Sequence, residues 1–271
     1  MGLSVRLAVA RLFRAREHAL DRLQHVCRER VPRRAPRVGR GGLARSGPRS
    51  LRLHPPRPAP DARARRLVLL QLHADRSCVH NANLLGAALL ARVARETGED
   101  ELREQALAAA RFTLRAQAPD GSWPYGNRSF QTWIDNFHTG FNLVALAEII
   151  DATGEPELAD PLRRGYAFYR DTFFLADGTP KYYHDRLYPV DIHSAAQALV
   201  TFAALAPLEP GALSAGQLVA QWTLREMRDR GGRFYFQKQA RYTNRTSFIR
   251  WSQAWMLYGL ARLMAAMTAV A

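Results

Sequence analysis

Trp133-Ile-Asp-Asn-Phe-His-Thr-Gly-Phe-Asn142 runs straight into an apolar stretch in which Leu143, Leu146, Ile149 and Ile150 fall at helical spacing. A companion, Asp191-Ile-His-Ser-Ala-Ala-Gln197, opens a second stretch of the same kind. Both put an acid and a histidine at a predicted helix start, where backbone N–H groups point outward and favour negative charge. Asp135 and Asp191 therefore read as helix N-caps. Read for chemistry, they are a pair of carboxylates at the mouth of a ring of helices.

Working outward from these two segments, the chain repeats. Glu96-Thr-Gly-Glu-Asp-Glu-Leu102 returns as Asp151-Ala-Thr-Gly-Glu-Pro-Glu-Leu158, with Thr-Gly-Glu shifted by 56 residues. Ahead of each lies an apolar helix that opens with a histidine, at His80 and His138, and a third such helix opens at His193. A fourth start, Ile249-Arg250-Trp251-Ser-Gln253, has arginine in that slot, which makes the successive offsets 58, 55 and 57. Second helices are expected over residues 101–116, 157–173 and 214–228. They lead into Gly-aromatic turns at Asp120-Gly-Ser-Trp123, Asp177-Gly-Thr-Pro-Lys-Tyr182 and Gly231-Gly-Arg-Phe234.

A period near 56 exceeds the roughly 34 residues of tetratricopeptide and 33 of ankyrin repeats, and suits paired inner and outer helices. The fold class read from this pattern is all-α: an incomplete α/α toroid of about three and a half helical hairpins. Seven helices leave the arc open, and an open arc pairs as a homo-oligomer or lacks hairpins at its N-terminal end.

The formal charge of +15 belongs to one end of the chain. Residues 1–66 hold eighteen arginines, no lysine and four acids, which accounts for +14 of it. The folded part is therefore nearly neutral, and no nucleic acid is expected to bind through it. Residues 1–72 form an Arg/Pro-rich tail, either too poor in apolar surface to order itself or translated out of frame; residues 73–271 are the α/α-toroid domain. A basic amphipathic helix over residues 1–26 is a further reading of the tail. Cys27 and Cys78 allow one disulfide at most, and no run is apolar enough for a membrane span. Arginines at positions 6, 11, 14 and 16 interrupt any secretory signal, so a cytoplasmic location is expected by default.

The densest polar-aromatic loop is Lys181-Tyr-Tyr-His-Asp-Arg186. Tyr182, Tyr183 and His184 there supply acid/base groups. Trp133, Trp251 and Gln253 suit a sugar site, His138, His193, Arg241 and Arg250 suit a carboxylate, and Arg241 falls in a predicted hairpin after Phe234. Cys78, His80, His138 and His193 lack the tight spacing of zinc ligands, so no metal and no cofactor are expected.

The motifs Phe137-His-Thr-Gly-Phe-Asn-Leu143, Pro180-Lys-Tyr-Tyr-His184 with Tyr188-Pro-Val-Asp-Ile-His-Ser-Ala-Ala-Gln197, and Arg250-Trp-Ser-Gln-Ala-Trp255 resemble a bacterial α/α-toroid family from polysaccharide-biosynthesis gene clusters. That family shares its fold with six-hairpin glycosidases, polysaccharide lyases and glucuronyl C5-epimerases. The resemblance implies a carbohydrate-active protein in surface-polysaccharide metabolism, with an acidic polysaccharide or oligosaccharide as its partner and hydrolase, lyase or C5-epimerase chemistry. Asp135, Asp191, Tyr182, Tyr183 and His184 would then be catalytic. Two other readings stay open. One is a non-catalytic helical scaffold that binds a glycan or a protein. The other is an isoprenoid enzyme, because Asp120-Gly-Ser-Trp123 resembles the repeat turns of terpene cyclases and prenyltransferases.

Overall fold

The computed structural model describes residues 78–270. The tail assignments, the boundary at residue 73 and Cys27 lie outside the described residues. Among the described residues there are seven α-helices. Inner helices α1 (His80–Thr97), α3 (Asn136–Thr153), α5 (Ile192–Leu205) and α7 (Trp255–Val270) alternate with outer helices α2 (Asp100–Leu114), α4 (Ala159–Phe173) and α6 (Ala212–Glu226). Each inner helix packs on the next inner one, and α2, α4 and α6 each pack on the inner helix before them. This is the nested hairpin arrangement of an α/α toroid. No helix among the described residues is long and apolar enough to cross a membrane.

Local sequence sets the corners. The two Thr-Gly-Glu segments end α1 and α3 at left-handed Gly98 and Gly154, whose N–H groups bond back to Ala94 and Ile150. A short 3-10 turn, Pro156–Leu158, then delays α4 by two residues relative to the periodic expectation. The Asp-Gly turns do something different. Gly121 (φ +92) and Gly178 (φ +88) lie against the backbone of the following outer helix, where an added Cβ would sit 2.3 Å from Arg164 O and 2.5 Å from Leu218 O. Asp120 and Asp177 hold the turns by accepting from Ser122 N and Thr179 N, each at 2.9 Å.

Helix α5 sits between α3, α6 and α7 and is buried on nearly every face. Its sequence allows this: it carries no charged residue, and its alanines let neighbours approach. A Cβ on Gly259 of α7 would stand 2.6 Å from Ala196 O, so the two backbones nearly touch. The remaining core is Leu84, Leu90, Leu143, Leu146, Ile149, Tyr169, Phe173 and Phe202, with Trp123 inserted from the first Asp-Gly turn.

Two elements depart from the periodic pattern. Helix α7 is preceded by a π-helical turn, Ile249–Ala254, where a plain α-helix start is expected. A small antiparallel sheet, β1 (Val190–Asp191), β2 (Gln237–Lys238) and β3 (Thr243–Asn244), ties the hairpin after Phe234 to the start of α5.

Candidate active site

The same backbone contact fixes the starts of the inner helices α1, α3 and α5. The N–H of the first residue of the helix donates to the carbonyl of an aromatic residue in the following Gly-aromatic loop: His80 to Tyr125 (3.1 Å), Asn136 to Tyr182 (2.9 Å) and Ile192 to Phe236 (3.0 Å). Next to these contacts, Val79 pairs with Gly126, Asp135 with Tyr183 and Asp191 with Gln237. The equivalent positions are therefore Val79, Asp135 and Asp191, spaced by 56 residues. This corrects the alignment of the four basic slots. His80 is the first residue of α1, His193 the second of α5 and His138 the third of α3, while Arg250 lies in the π-turn. Aligning by residue type shifted the register by up to two places, enough to change the direction a side chain takes on a helix.

Asp135 caps α3 and is fully enclosed. Its carboxyl group accepts from His138 N at 2.9 Å and from Trp133 Nε1 at 3.0 Å, and His138 Nδ1 lies 2.6 Å away. The Asp135 side chain is 0% exposed, whereas that of His138 is 23% exposed. If Nδ1–H donates to the carboxylate, the accessible Nε2 of a neutral imidazole carries the lone pair.

Asp191 caps α5, accepting from His193 N at 2.8 Å and from Gln237 Nε2 at 3.0 Å. With only two partners in a buried place, its carboxyl is pushed up from 3.8 to about 6 by desolvation. Tyr182 feels the negative charge of both Asp135 and Asp191, and burial with those charges holds its phenol protonated well above the usual range. Its ring packs edge-on to Phe137 and tilts against Tyr183. The loop that carries these tyrosines is tied down at His184, whose N–H reaches Ile134 O and whose own carbonyl accepts from Lys181 Nζ at 2.9 Å.

His193 lies in an aromatic box. Phe137 stacks on it at 4.6 Å, and Trp251 and Trp255 close it at 4.6 and 4.8 Å. Burial, then the nearby His138, depress the imidazole to about 3, so it is neutral at pH 7 and does not act as a cation for a carboxylate. Its Nε2 has no hydrogen-bond partner among the described residues. His80 is buried apart from this group and is depressed to about 4 by burial. Among the described residues, no three His, Cys, Asp or Glu side chains converge as metal ligands. The quartet Cys78, His80, His138 and His193 is therefore not assembled.

Of the remaining expected residues, Trp133 and Trp251 are 38% and 40% exposed at the rim. Arg250 lies over Trp251, 5.4 Å from the ring centre. Arg241 is exposed in the turn between β2 and β3. Gln253 is engaged elsewhere: its Oε1 accepts from Phe234 N at 3.1 Å and its Nε2 donates to Phe234 O at 2.8 Å. Its amide fastens the π-turn to the hairpin and keeps a second N–H and a second lone pair. The sequence reading missed Tyr125 and Gln237. Tyr125 stacks on Trp133 at 4.4 Å and meets His138 edge-on at 4.6 Å. A signal for it existed, because Tyr125 and Tyr182 both stand four residues after the glycine of an Asp-Gly turn.

No protein-family model matches the chain, and no curated protein does. Solved structures do match in fold. The unsaturated glucuronyl hydrolase of Bacillus sp. GL1 superposes with a TM-score of 0.55 at 16% identity, over 69% of this chain and 58% of that one. The cellobiose 2-epimerase of Spirochaeta thermophila DSM 6192 does so with a TM-score of 0.57 at 15% identity, over 71% of this chain and 53% of that one. A D-mannose isomerase gives 0.56 at 10% identity, over 72% and 57%. The chain thus spans somewhat over half the length of the enzymes it matches, and what it shares with them is the α/α-toroid fold.

Proposed function

We propose that this domain is a carbohydrate-active enzyme that cleaves an acidic oligosaccharide by acid/base chemistry. The observation that carries the reading is the contrast between two repeat-equivalent carboxyl groups. Asp135 is surrounded by N–H donors and orients His138, while Asp191 is desolvated and holds its proton toward pH 6. A desolvated carboxyl group that keeps its proton above the usual carboxylate range is the usual mark of a general acid. In this assignment His138 Nε2 is the base and Asp135 positions it. Asp191 supplies the proton for the leaving oxygen, and the Tyr182 phenol, kept protonated by burial and by the charges of Asp135 and Asp191, is a further donor at the same rim. Tyr183 and His184 line the same loop. Fold neighbours that process glucuronyl, cellobiose and mannose substrates support a sugar as the reactant. The guanidinium group of Arg250, laid on the rim aromatic Trp251 and in no salt bridge among the described residues, supports an anionic one.

A poised acid favours breaking a glycosidic bond over C5 epimerisation, which expels no leaving group. Hydrolysis and elimination then differ in what the base removes, a proton of water or the C5 proton. The carboxyl groups, imidazoles and guanidiniums among the rings weigh against a hydrocarbon substrate and so against the isoprenoid reading. The burial of both acids as N-caps favours a second reading, a glycan-binding module without turnover. The test is incubation of the purified chain with a panel of uronate-containing oligosaccharides. Ultraviolet absorbance reports elimination, reducing ends report hydrolysis and deuterium at C5 reports epimerisation. Cleavage that falls by about 10²–10⁴ in His138→Ala is expected. Binding with no turnover across the panel would favour the module, and deuterium exchange without cleavage would overturn the proposed bond-breaking step.

A further inference from the structure

An unbroken line of ring contacts crosses the rim. Trp133 stacks on Tyr125 (4.4 Å), Tyr125 meets His138 (4.6 Å), His138 meets Phe137 (4.2 Å), Phe137 stacks on His193 (4.6 Å) and His193 meets Trp251 (4.6 Å). Each end of the line is an exposed tryptophan, 38% for Trp133 and 40% for Trp251. Trp133 precedes α3 and Trp251 precedes α7, with α5 between them. The helices that follow the two ends, α3 and α7, flank α5 at inner-helix spacings of about 8–10 Å between axes, so the two platforms belong to opposite sides of α5.

The two ends differ in charge. At the Trp133 end the indole N–H is bonded to the Asp135 carboxyl group, so an acidic side chain borders the edge of the platform. Arg186, on the neighbouring Tyr183, is already matched with Asp185 at 3.8 Å. At the Trp251 end, Arg250 lies over the indole and Arg245 over Tyr235, and neither is in a salt bridge among the described residues. Arg241, in the adjoining hairpin, is in none either.

We infer that the site holds an oligosaccharide long enough to reach both exposed tryptophans across the buried Phe137 and His193, with a neutral sugar stacked on Trp133 and an acidic sugar held by Arg250 over Trp251. The inference rests on the acidic-glycan reading above and adds a minimum length and a polarity. His138, the half-buried base, lies between the two platforms, so the bond that reacts is an internal one flanked by a bound sugar on each side. A chain that alternates acidic and neutral sugars fits this polarity; a single uronate would occupy only the Arg250 end.

The test measures dissociation constants by calorimetry for di-, tetra- and hexasaccharides of alternating glucuronate and N-acetylglucosamine, and for the tetrasaccharide with its carboxyl groups reduced to alcohols. The wild-type chain should bind the tetrasaccharide about tenfold more tightly than the disaccharide, as expected for one added aromatic platform. It should prefer the acidic tetrasaccharide to the reduced one by about tenfold, as for one charge-assisted contact. Trp133→Ala should lose the gain from length and keep the acid preference, with Trp133→Phe intermediate. Arg250→Ala should lose the acid preference and keep the gain from length. Equal affinity for di- and tetrasaccharide, or a Trp133→Ala variant that keeps the gain from length, would overturn the two-platform site while leaving the acidic-glycan reading intact. Failure of every acidic probe to bind the folded wild-type chain would overturn both.

Discussion

Replacing Asp191 by asparagine tests the most unusual group in the site without any knowledge of the substrate. The carboxyl group is raised from 3.8 to about 6 by desolvation. A shift of about two pKa units corresponds to about 3 kcal/mol between the protonation states. Because the folded-state value is the higher one, this contribution is fully present below about pH 4 and is lost as the pH rises through 6. Asparagine caps a helix about as well as aspartate and keeps an oxygen for His193 N–H; the Gln237 amide must turn over to accept from it, and the Gln239 amide, which donates to Gln237 Oε1 at 2.6 Å, must turn with it. The stability of Asp191→Asn relative to wild type should therefore rise by about 3 kcal/mol between about pH 4 and about pH 8, most of it below about pH 6. The assay is urea unfolding of both proteins, followed by helical circular dichroism across that range. Taking the difference matters. His193 and His80 are depressed from 6.5 to about 3 and about 4, so their contribution is complete above 6.5 and lost as the pH falls, opposite in sign to that of Asp191. Both histidines are present in each protein and cancel in the difference. A difference that stays constant with pH would refute the assignment of Asp191 as a carboxyl group held in its protonated form.

Gly178→Ala should destabilise the domain by about 2–4 kcal/mol in the same unfolding assay, because the glycine has φ +88 and its Cβ would stand 2.5 Å from Leu218 O. Gly98→Ala, with nothing within 4 Å of the added Cβ, should cost only the left-handed backbone term of about 1 kcal/mol. Gln253→Leu should cost about 1–3 kcal/mol by leaving Phe234 N–H and C=O without the amide that fastens the π-turn, again read by urea unfolding. A Gln253→Leu variant as stable as wild type would show that the π-turn is held by other contacts.

The hairpin order was legible because it depends on local signals. Thr-Gly-Glu repeats at a fixed spacing, the apolar residues of α3 fall at helical intervals, and glycine turns mark the return from each outer helix, Asp-Gly after α2 and α4 and Gly231-Gly232 after α6. Both N-caps were legible for the same reason, since an aspartate two or three residues ahead of the bonded N–H is a short-range pattern. The environments of the side chains were not legible. Whether an acid is enclosed by donors, like Asp135, or desolvated, like Asp191, depends on Trp133, Gln237 and the neighbouring helices, which are remote in sequence or carry no distinguishing mark. The rim register was misread because the histidines are conspicuous, while the backbone contacts to Tyr125, Tyr182 and Phe236 that set equivalence leave no residue-type signature. The engagement of Gln253 by a backbone nineteen residues away was invisible for the same reason. Small β-bridges next to the helix starts are too short to show the alternation by which strands are read.

The most direct measurement is the pH dependence of kcat/KM for wild type and Asp191→Asn on an acidic oligosaccharide that the wild-type chain cleaves. If Asp191 delivers the proton, wild-type activity falls as the pH rises above about 6, where the carboxyl group ionises, and the variant is slower at low pH and lacks that alkaline fall. An alkaline limb that persists unchanged in Asp191→Asn would contradict the account.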